Sequence, residues 1–291
     1  MRTNFFHTKQ AVLILGFALA VFTGTPAGAQ TAQVPPAPAG GLNPSKLPDV
    51  MGIHMGMPVQ QAVALVKSEW PADQVKIFYT KFAKSSDPAW ISHVSARRPG
   101  TGNNQGNSVD DITVFFNAPP NPQVVVQISR TVMMIPPTAR GNLLAALRQK
   151  YGPEMKPPLS FDNMAWEFNE EGQPVPLPGT YICTTFNQPT EGQEANSKPA
   201  EIFVFPSPQP IDTQIPRLVN MCKDAITVTT LTYPKGDPNQ LLSSSTVIMI
   251  DHAEDLRDFV ATSRYAEALA TSGAAKQLQQ QLKNAQPAPK L

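Results

Sequence analysis

Gly52–Pro71 reads GIHMGMPVQQAVALVKSEWP. Pro58 suits a first helical position, where its missing N–H is no loss. Ala62, Leu65 and Val66 then recur at helical spacing, with Val59 and Val63 beside them, while Lys67 and Glu69 fall toward solvent. Pro71 stops the run. The pattern predicts a helix over Val59–Glu69. Strand-like runs follow at Val75–Phe82, Ala89–Ala96, Asp111–Asn117 and Gln123–Met134. The segment APPNP at 118–122 turns the chain between the last two, and Arg98–Ser108, lacking apolar residues, reads as a mobile loop.

A second stretch, Ile135–Pro153 (IPPTARGNLLAALRQKYGP), echoes the first. Leu143, Leu144, Leu147 and Tyr151 form a stripe over a helix expected at about Thr138–Tyr151, and Gly152-Pro153 ends it. Strand candidates come next at Met164–Asn169, Thr180–Phe186, Glu201–Phe205, Ala225–Tyr233 and Ser245–Ile250, with a loop at Pro206–Pro216 and a turn at Glu170-Glu171-Gly172. The repeated order of one helix and several strands predicts an α+β fold. It would hold two tandem helix-plus-antiparallel-sheet units, 49–134 and 135–250, followed by a C-terminal helical tail, 251–291.

Met1–Ala29 has the form of a secretory signal peptide. Arg2 and Lys9 precede the apolar core Ala11–Phe22, and Ala27-Gly28-Ala29 offers small residues for cleavage ahead of Gln30. The core is too short for a spanning helix, so the mature chain is expected in the periplasm or secreted. Residues 30–48, rich in Pro, Gly and Ala, cannot bury enough apolar surface to offset their ordering entropy, so a disordered leader is expected there. Cys183 and Cys222 are the chain's two cysteines. In an exported protein without a Cys-x-x-Cys spacing, such a pair reads as a structural disulfide. The formal net charge of +1 provides no electrostatic footprint for nucleic acid.

Asp251–Ala270 (DHAEDLRDFVATSRYAEALA) predicts the clearest helix. Asp251 stands at its N-cap, with Glu254 three residues on as in a capping box. Asp255 and Asp258 are then expected on a solvated face beside Arg257. Ser272-Gly273 reads as a break before a second, polar helix, whose thin stripe of Leu278 and Leu282 is a candidate partner-binding surface.

No Gly-x-Ser-x-Gly, Ser-x-x-Lys, His-Glu-x-x-His or phosphate-cradling glycine loop occurs, and no cofactor is indicated. Met51, His54, Met55 and Met57 could ligate copper through soft thioethers and imidazole; the competing reading packs the methionines at the helix entry. Asp251, His252, Glu254 and Asp255 could gather around a metal; capping accounts for Asp251 and Glu254 without one. Asp110 and Asp111, adjacent in a strand, point to opposite faces. A hydrolase site drawing on His93, His252 and acidic residues is the enzymatic alternative.

Gly52-x-x-x-Gly56-Met57-Pro58, followed by Ala62 and Leu65, resembles the helix start of small secreted domains of the β-lactamase-inhibitor-protein type, and of the outer-membrane assembly lipoprotein that shares their fold. The chain as a whole is similar to exported periplasmic proteins of proteobacteria. The resemblance implies helix-plus-meander units, single or in tandem; no lipidation cysteine is present here. The function expected on these grounds is a non-enzymatic periplasmic binding or envelope-associated protein, with an envelope protein as its partner.

Overall fold

The computed structural model describes residues 46–82, 88–100, 108–154, 164–175, 193–194, 200–202, 226–233 and 239–284. Residues 1–45, where a signal peptide and most of a leader are expected, lie outside them, as do both cysteines, the Thr180–Phe186 run, the Pro206–Pro216 loop and 101–107 of the Arg98–Ser108 loop.

The chain enters through a hairpin of β1 (Asp49–Val50) and β2 (Ile53–His54). Its turn places Met51 at φ 58° and Gly52 at φ 77°, and the Asp49 carboxylate accepts the Gly52 N–H at 2.8 Å. Helix α1 spans Val59–Glu69, as the sequence predicts, and buries Val59, Ala62, Val63 and Val66. Four antiparallel strands follow: β3 (Val75–Phe82), β4 (Trp90–Pro99), β5 (Ser108–Phe116) and β6 (Val125–Ala139).

Helix α2 covers Arg140–Tyr151. It starts later than expected because β6 runs on through Pro136 and Pro137 to Ala139. Proline fixes an extended-compatible φ and lacks only a donor. Here the donor is not missed: Met133 pairs with Ser244 and Thr138 with Leu242, so residues 134–137 bulge out of the ladder.

The later strands are β7 (Met164–Phe168), β8 (Gln193–Glu194), β9 (Ala200–Ile202), β10 (Ile226–Tyr233) and β11 (Leu241–Asp251). The predicted turn at Glu170–Gly172 closes β7, with Asn169 Oδ1 accepting the Glu171 and Gln173 N–H groups. Gly172 is required there, since φ is 76° and a Cβ would collide with the Lys46 carbonyl.

Among the described residues the strands form one sheet in the order β7-β10-β11-β6-β5-β4-β3, with β8 and β9 both on β3. On one face Val94, Ala96, Ile112, Val114, Ile128, Met249, Val228 and Trp166 meet α1 and α2 in a continuous core. Each such aliphatic side chain removed from water stabilises by about 1.5–3 kcal/mol. Trp166 is buried, and its indole N–H donates to the Gly152 carbonyl at 2.8 Å, so its polar end is satisfied at the terminus of α2. The other face carries half-buried Ser95, Thr113, Ser129, Thr131 and Thr246, the last two hydrogen-bonded at 2.8 Å.

One helix, α3 (His252–Asn284), follows β11 without interruption. The expected break at Ser272-Gly273 does not occur. A helical glycine costs only about 1 kcal/mol, and the hydroxyls of Thr271 and Ser272 donate back to the Glu267 and Leu269 carbonyls inside the helix. The helix crosses the strand ends in turn. It meets the β5–β6 connection at Asp258, then the β3–β4 end, where Tyr265 and Ala266 pack with Phe82 and Trp90. Among the described residues no helix is long and apolar enough to cross a membrane.

Candidate ligand cleft at the centre of the sheet

On the helix-bearing face, β6 and β11 pair at the middle of the sheet. Helix α2 does not close over the far end of this seam. A cleft of about 380 Å³ remains between them, a size in the range of small-molecule sites. Its floor is Val132 and Met134 from β6 with Ser245 and Val247 from β11. Leu143, Leu147 and Tyr151 of α2 form one wall, at i, i+4 and i+8 of the predicted stripe, and Val50 and Met51 of the entry hairpin form another. The lining is apolar with one exception in the floor. Ser245 is 6% exposed, and its Oγ has no hydrogen-bond partner. A buried hydroxyl without a partner forfeits about 1–3 kcal/mol, and this one is closed off from solvent beneath the floor of the cleft.

Two cations border the cleft, Arg130 and Lys150. Both are already matched. Arg130 donates through Nε and Nη2 to the two oxygens of Asp110 at 2.9 and 3.0 Å, a fork-on-fork pair. Asp110 is 5% exposed and also faces Arg98 at 3.4 Å. Arg98 in turn donates to the Glu69 carbonyl at the C-terminus of α1, where a cation suits the helix dipole. Lys150 pairs with Asp49 at 3.0 Å, and the Tyr151 hydroxyl donates to the Asp49 carbonyl at 2.8 Å. Burial pushes the Tyr151 phenol well above its ordinary pKa, with the Asp49 charge adding to it. The cleft is thus an apolar slot with no charge left uncompensated at its rim.

The root of α3 is the other concentration of polar groups. Asp251 caps the helix as expected, accepting the Glu254 N–H at 2.8 Å. The capping box is only half formed, because Glu254 turns to Asn117 (3.2 Å) and Arg257 (2.9 Å), and Arg257 reaches Glu170 at 2.8 Å. The expectation of a solvated face is overturned: Asp255 and Asp258 are 3% and 1% exposed. The reason is tertiary. Asp258 accepts the Ala118 N–H and the Asn121 side-chain N–H, both at 3.0 Å, so it caps the β5–β6 connection from outside. Burial pushes the Asp251 and Asp258 carboxyls up to about 7. His252 is buried with Nε2 3.0 Å from the Thr227 hydroxyl, and burial lowers its pKa to about 4.

The remaining sequence candidates are dispersed. Met55 and Met57 are buried in the core; Met51 lines the cleft instead, and His54 Nδ1 lies 2.8 Å from the Met55 carbonyl oxygen. His93 stacks between Phe78 and Phe115 on the face away from α1 and α2, with its pKa lowered to about 4 by burial. It sits on β4, while the Thr227 partner of His252 is on β10, four strand steps away. At ~4.8 Å per step that is ~19 Å, too far for one substrate. Asp110 and Asp111 diverge as expected, Asp110 inward to Arg130 and Asp111 to Arg97 on the other face. Leu278 and Leu282 fall within α3. Among the described residues no group of three or more His, Cys, Asp or Glu is placed to hold a metal.

Sequence reasoning missed Ser245 and the cleft. The signal was present: in a strand, Ser245 shares a face with Val247 and Met249, so a serine stands in an apolar row. Compared with protein families, with curated proteins and with solved structures, the chain has no match.

Proposed function

We propose that this chain is an exported, non-enzymatic binding protein of the periplasm or envelope, holding a small apolar ligand in the cleft between α2 and the β6–β11 seam. The observation that carries this reading is the apolar slot of about 380 Å³ between α2, the entry hairpin and the β6–β11 seam. An apolar pocket with a few polar groups is the usual form of a small-molecule site. No paired acid and base line it. In a thermal-shift screen of apolar compounds, a ligand at a hundredfold excess over its Kd should raise the melting midpoint by about 5 °C. Val247→Trp, which fills the slot, should abolish that shift. A shift that persists in a folded Val247→Trp protein removes the cleft as the site.

The reading includes a pseudo-symmetric fold of two helix-plus-sheet units, as in the β-lactamase-inhibitor-protein type. In support, α1 leads into β3–β6 and α2 into β7, β10 and β11, and the last strands of the two sets meet at the centre. The cleft then lies where the halves join.

Export rests on the Met1–Ala29 segment. The mature chain recovered from a periplasmic fraction should begin at Gln30. Cys183 and Cys222 should resist alkylation until reduced, and breaking the bond should cost about 4 kcal/mol of stability, from the loop the two residues close. A protein that starts at Met1 and alkylates freely without reductant would remove both the compartment and the disulfide.

A further inference from the structure

Among the described residues, the large apolar side chains that stand exposed are Ile135, at 53%, and Leu241, at 61%. Both lie at one end of the β6–β11 seam. Ile135 stands in the excursion of β6 out of the ladder, followed by the exposed Pro136 and Pro137. Leu241 opens β11 opposite Ala139, two residues beyond Pro137. The same end borders the cleft: Met134 of its floor immediately precedes Ile135, and Leu241 shares a face of β11 with Ser245 and Val247. We infer that Ile135, Pro136, Pro137 and Leu241 form a lip that docks on a lipid surface and sets the cleft against the membrane. The docking stands on the lip alone; that the apolar ligand enters the cleft from the bilayer rests on the ligand-cleft reading.

Three observations favour lipid as the occupant. The strand segments that carry the lip, 131–139 and 239–250, hold no charged side chain, so insertion dehydrates no ion. The excursion leaves the ladder, but two of its four residues are prolines without an N–H, which halves the donors that would lose water in the head-group region. The lip is also small and projecting. Four residues are far fewer than the roughly 20–30 a side of a stable protein interface, whereas a bilayer takes a projecting apolar group without a matching groove. Attraction to anionic lipid is not the source. Helix α2 beside the lip carries Arg140, Arg148 and Lys150 and no acid, yet Arg148 is matched by Glu154 and Lys150 by Asp49. The attachment is therefore apolar, and nearly indifferent to lipid charge and to salt.

Flotation of the full mature chain with neutral phosphatidylcholine vesicles tests this. The native protein should float with them, in low or high salt alike. Ile135→Ser combined with Leu241→Ser should weaken the binding about tenfold or more at an unchanged melting midpoint, since both side chains are exposed in the free protein. The three native tryptophans, Trp70, Trp90 and Trp166, are buried, so Ile135→Trp provides a separate signal: its emission should shift to the blue when vesicles are added. The cleft-filling Val247→Trp protein, or Leu143→Trp should that one not fold, should still float. No flotation of the native protein, or flotation unmoved by the double serine variant, overturns the lip. Flotation that requires anionic lipid and vanishes in salt overturns it too, in favour of surface charge. Flotation lost in a folded, cleft-filled protein means that the cleft itself takes up the lipid, which overturns the lip and leaves the cleft standing as a site. A dimer that the double serine variant makes monomeric, without flotation, assigns the patch to a second copy of the chain and overturns the lipid.

Discussion

Asp110→Ala is expected to lower stability by about 3 kcal/mol, the usual effect of stranding one partner of a buried ion pair. Arg130 would keep its place between Ile112 and Val247 of the neighbouring strands, with no carboxylate in reach of its fork. Arg98 would lose the same partner, though it keeps the Glu69 carbonyl and the face of Trp70. The paired replacement Asp110→Val with Arg130→Leu should restore most of the loss, because well-packed apolar residues often match a buried salt bridge. Urea denaturation of the two single variants and the double variant would measure this. A loss under 1 kcal/mol for Asp110→Ala would show that solvent reaches Arg130 well enough to replace the acid.

Asp258→Asn should change how stability depends on pH. In the folded protein Asp251 and Asp258 keep their protons up to about 7, by burial first, whereas unfolded aspartates release theirs near the ordinary ~3.9. Unfolding between those values therefore releases protons, and stability falls as pH rises from about 4 to about 7. Glu167, raised to about 7 by burial, acts in the same sense. His93 and His252 oppose them. Both are held near 4, so unfolding takes up protons below about 6.5 and stability falls as pH drops through that window. The wild-type profile should therefore be shallow between pH 4 and 6.5, a balance of large terms. Asp258→Asn removes one of them. Its stability relative to wild type should move in its favour by about 2–4 kcal/mol between pH 4 and pH 8, read from melting or urea curves. A difference that stays constant over that range would mean Asp258 is ionised in the folded protein, held so by the Ala118 and Asn121 donors.

These buried acids show where sequence reading stops. Helix α1 and strand β3 were legible to the residue, because Pro58, Pro71 and the apolar spacing between them are local signals. The stripe on α2 was legible too, though not that three of its four residues, Leu143, Leu147 and Tyr151, would line a cleft at the edge of the core. The solvated reading of Asp255 and Asp258 failed because a helical pattern describes one element alone. What decides the burial of Asp258 is the β5–β6 connection, about 140 residues earlier in the chain, whose Ala118 N–H needs an acceptor. Gly273 misled for the opposite reason: a local breaker signal is outweighed by alanine-rich helix on either side. The β6–β11 seam, and with it Ser245 as a floor residue, depends on a register that no local pattern specifies.

That seam also sets a timetable. Gln127 pairs with Ile250 and Arg130 with Val247, so the centre of the sheet is closed by strands more than a hundred residues apart. At a synthesis rate of about 5–20 residues per second, β6 emerges on the order of ten seconds before its partner. During that interval β3–β6 can form their meander, but Val125, Val126 and Ile128 lie on an open strand edge, a template for wrong pairing. A chain threaded N-terminus first through a membrane would wait in this state on the far side. Its yield would then depend less on the stability of the finished sheet than on whatever shields that edge until β11 arrives.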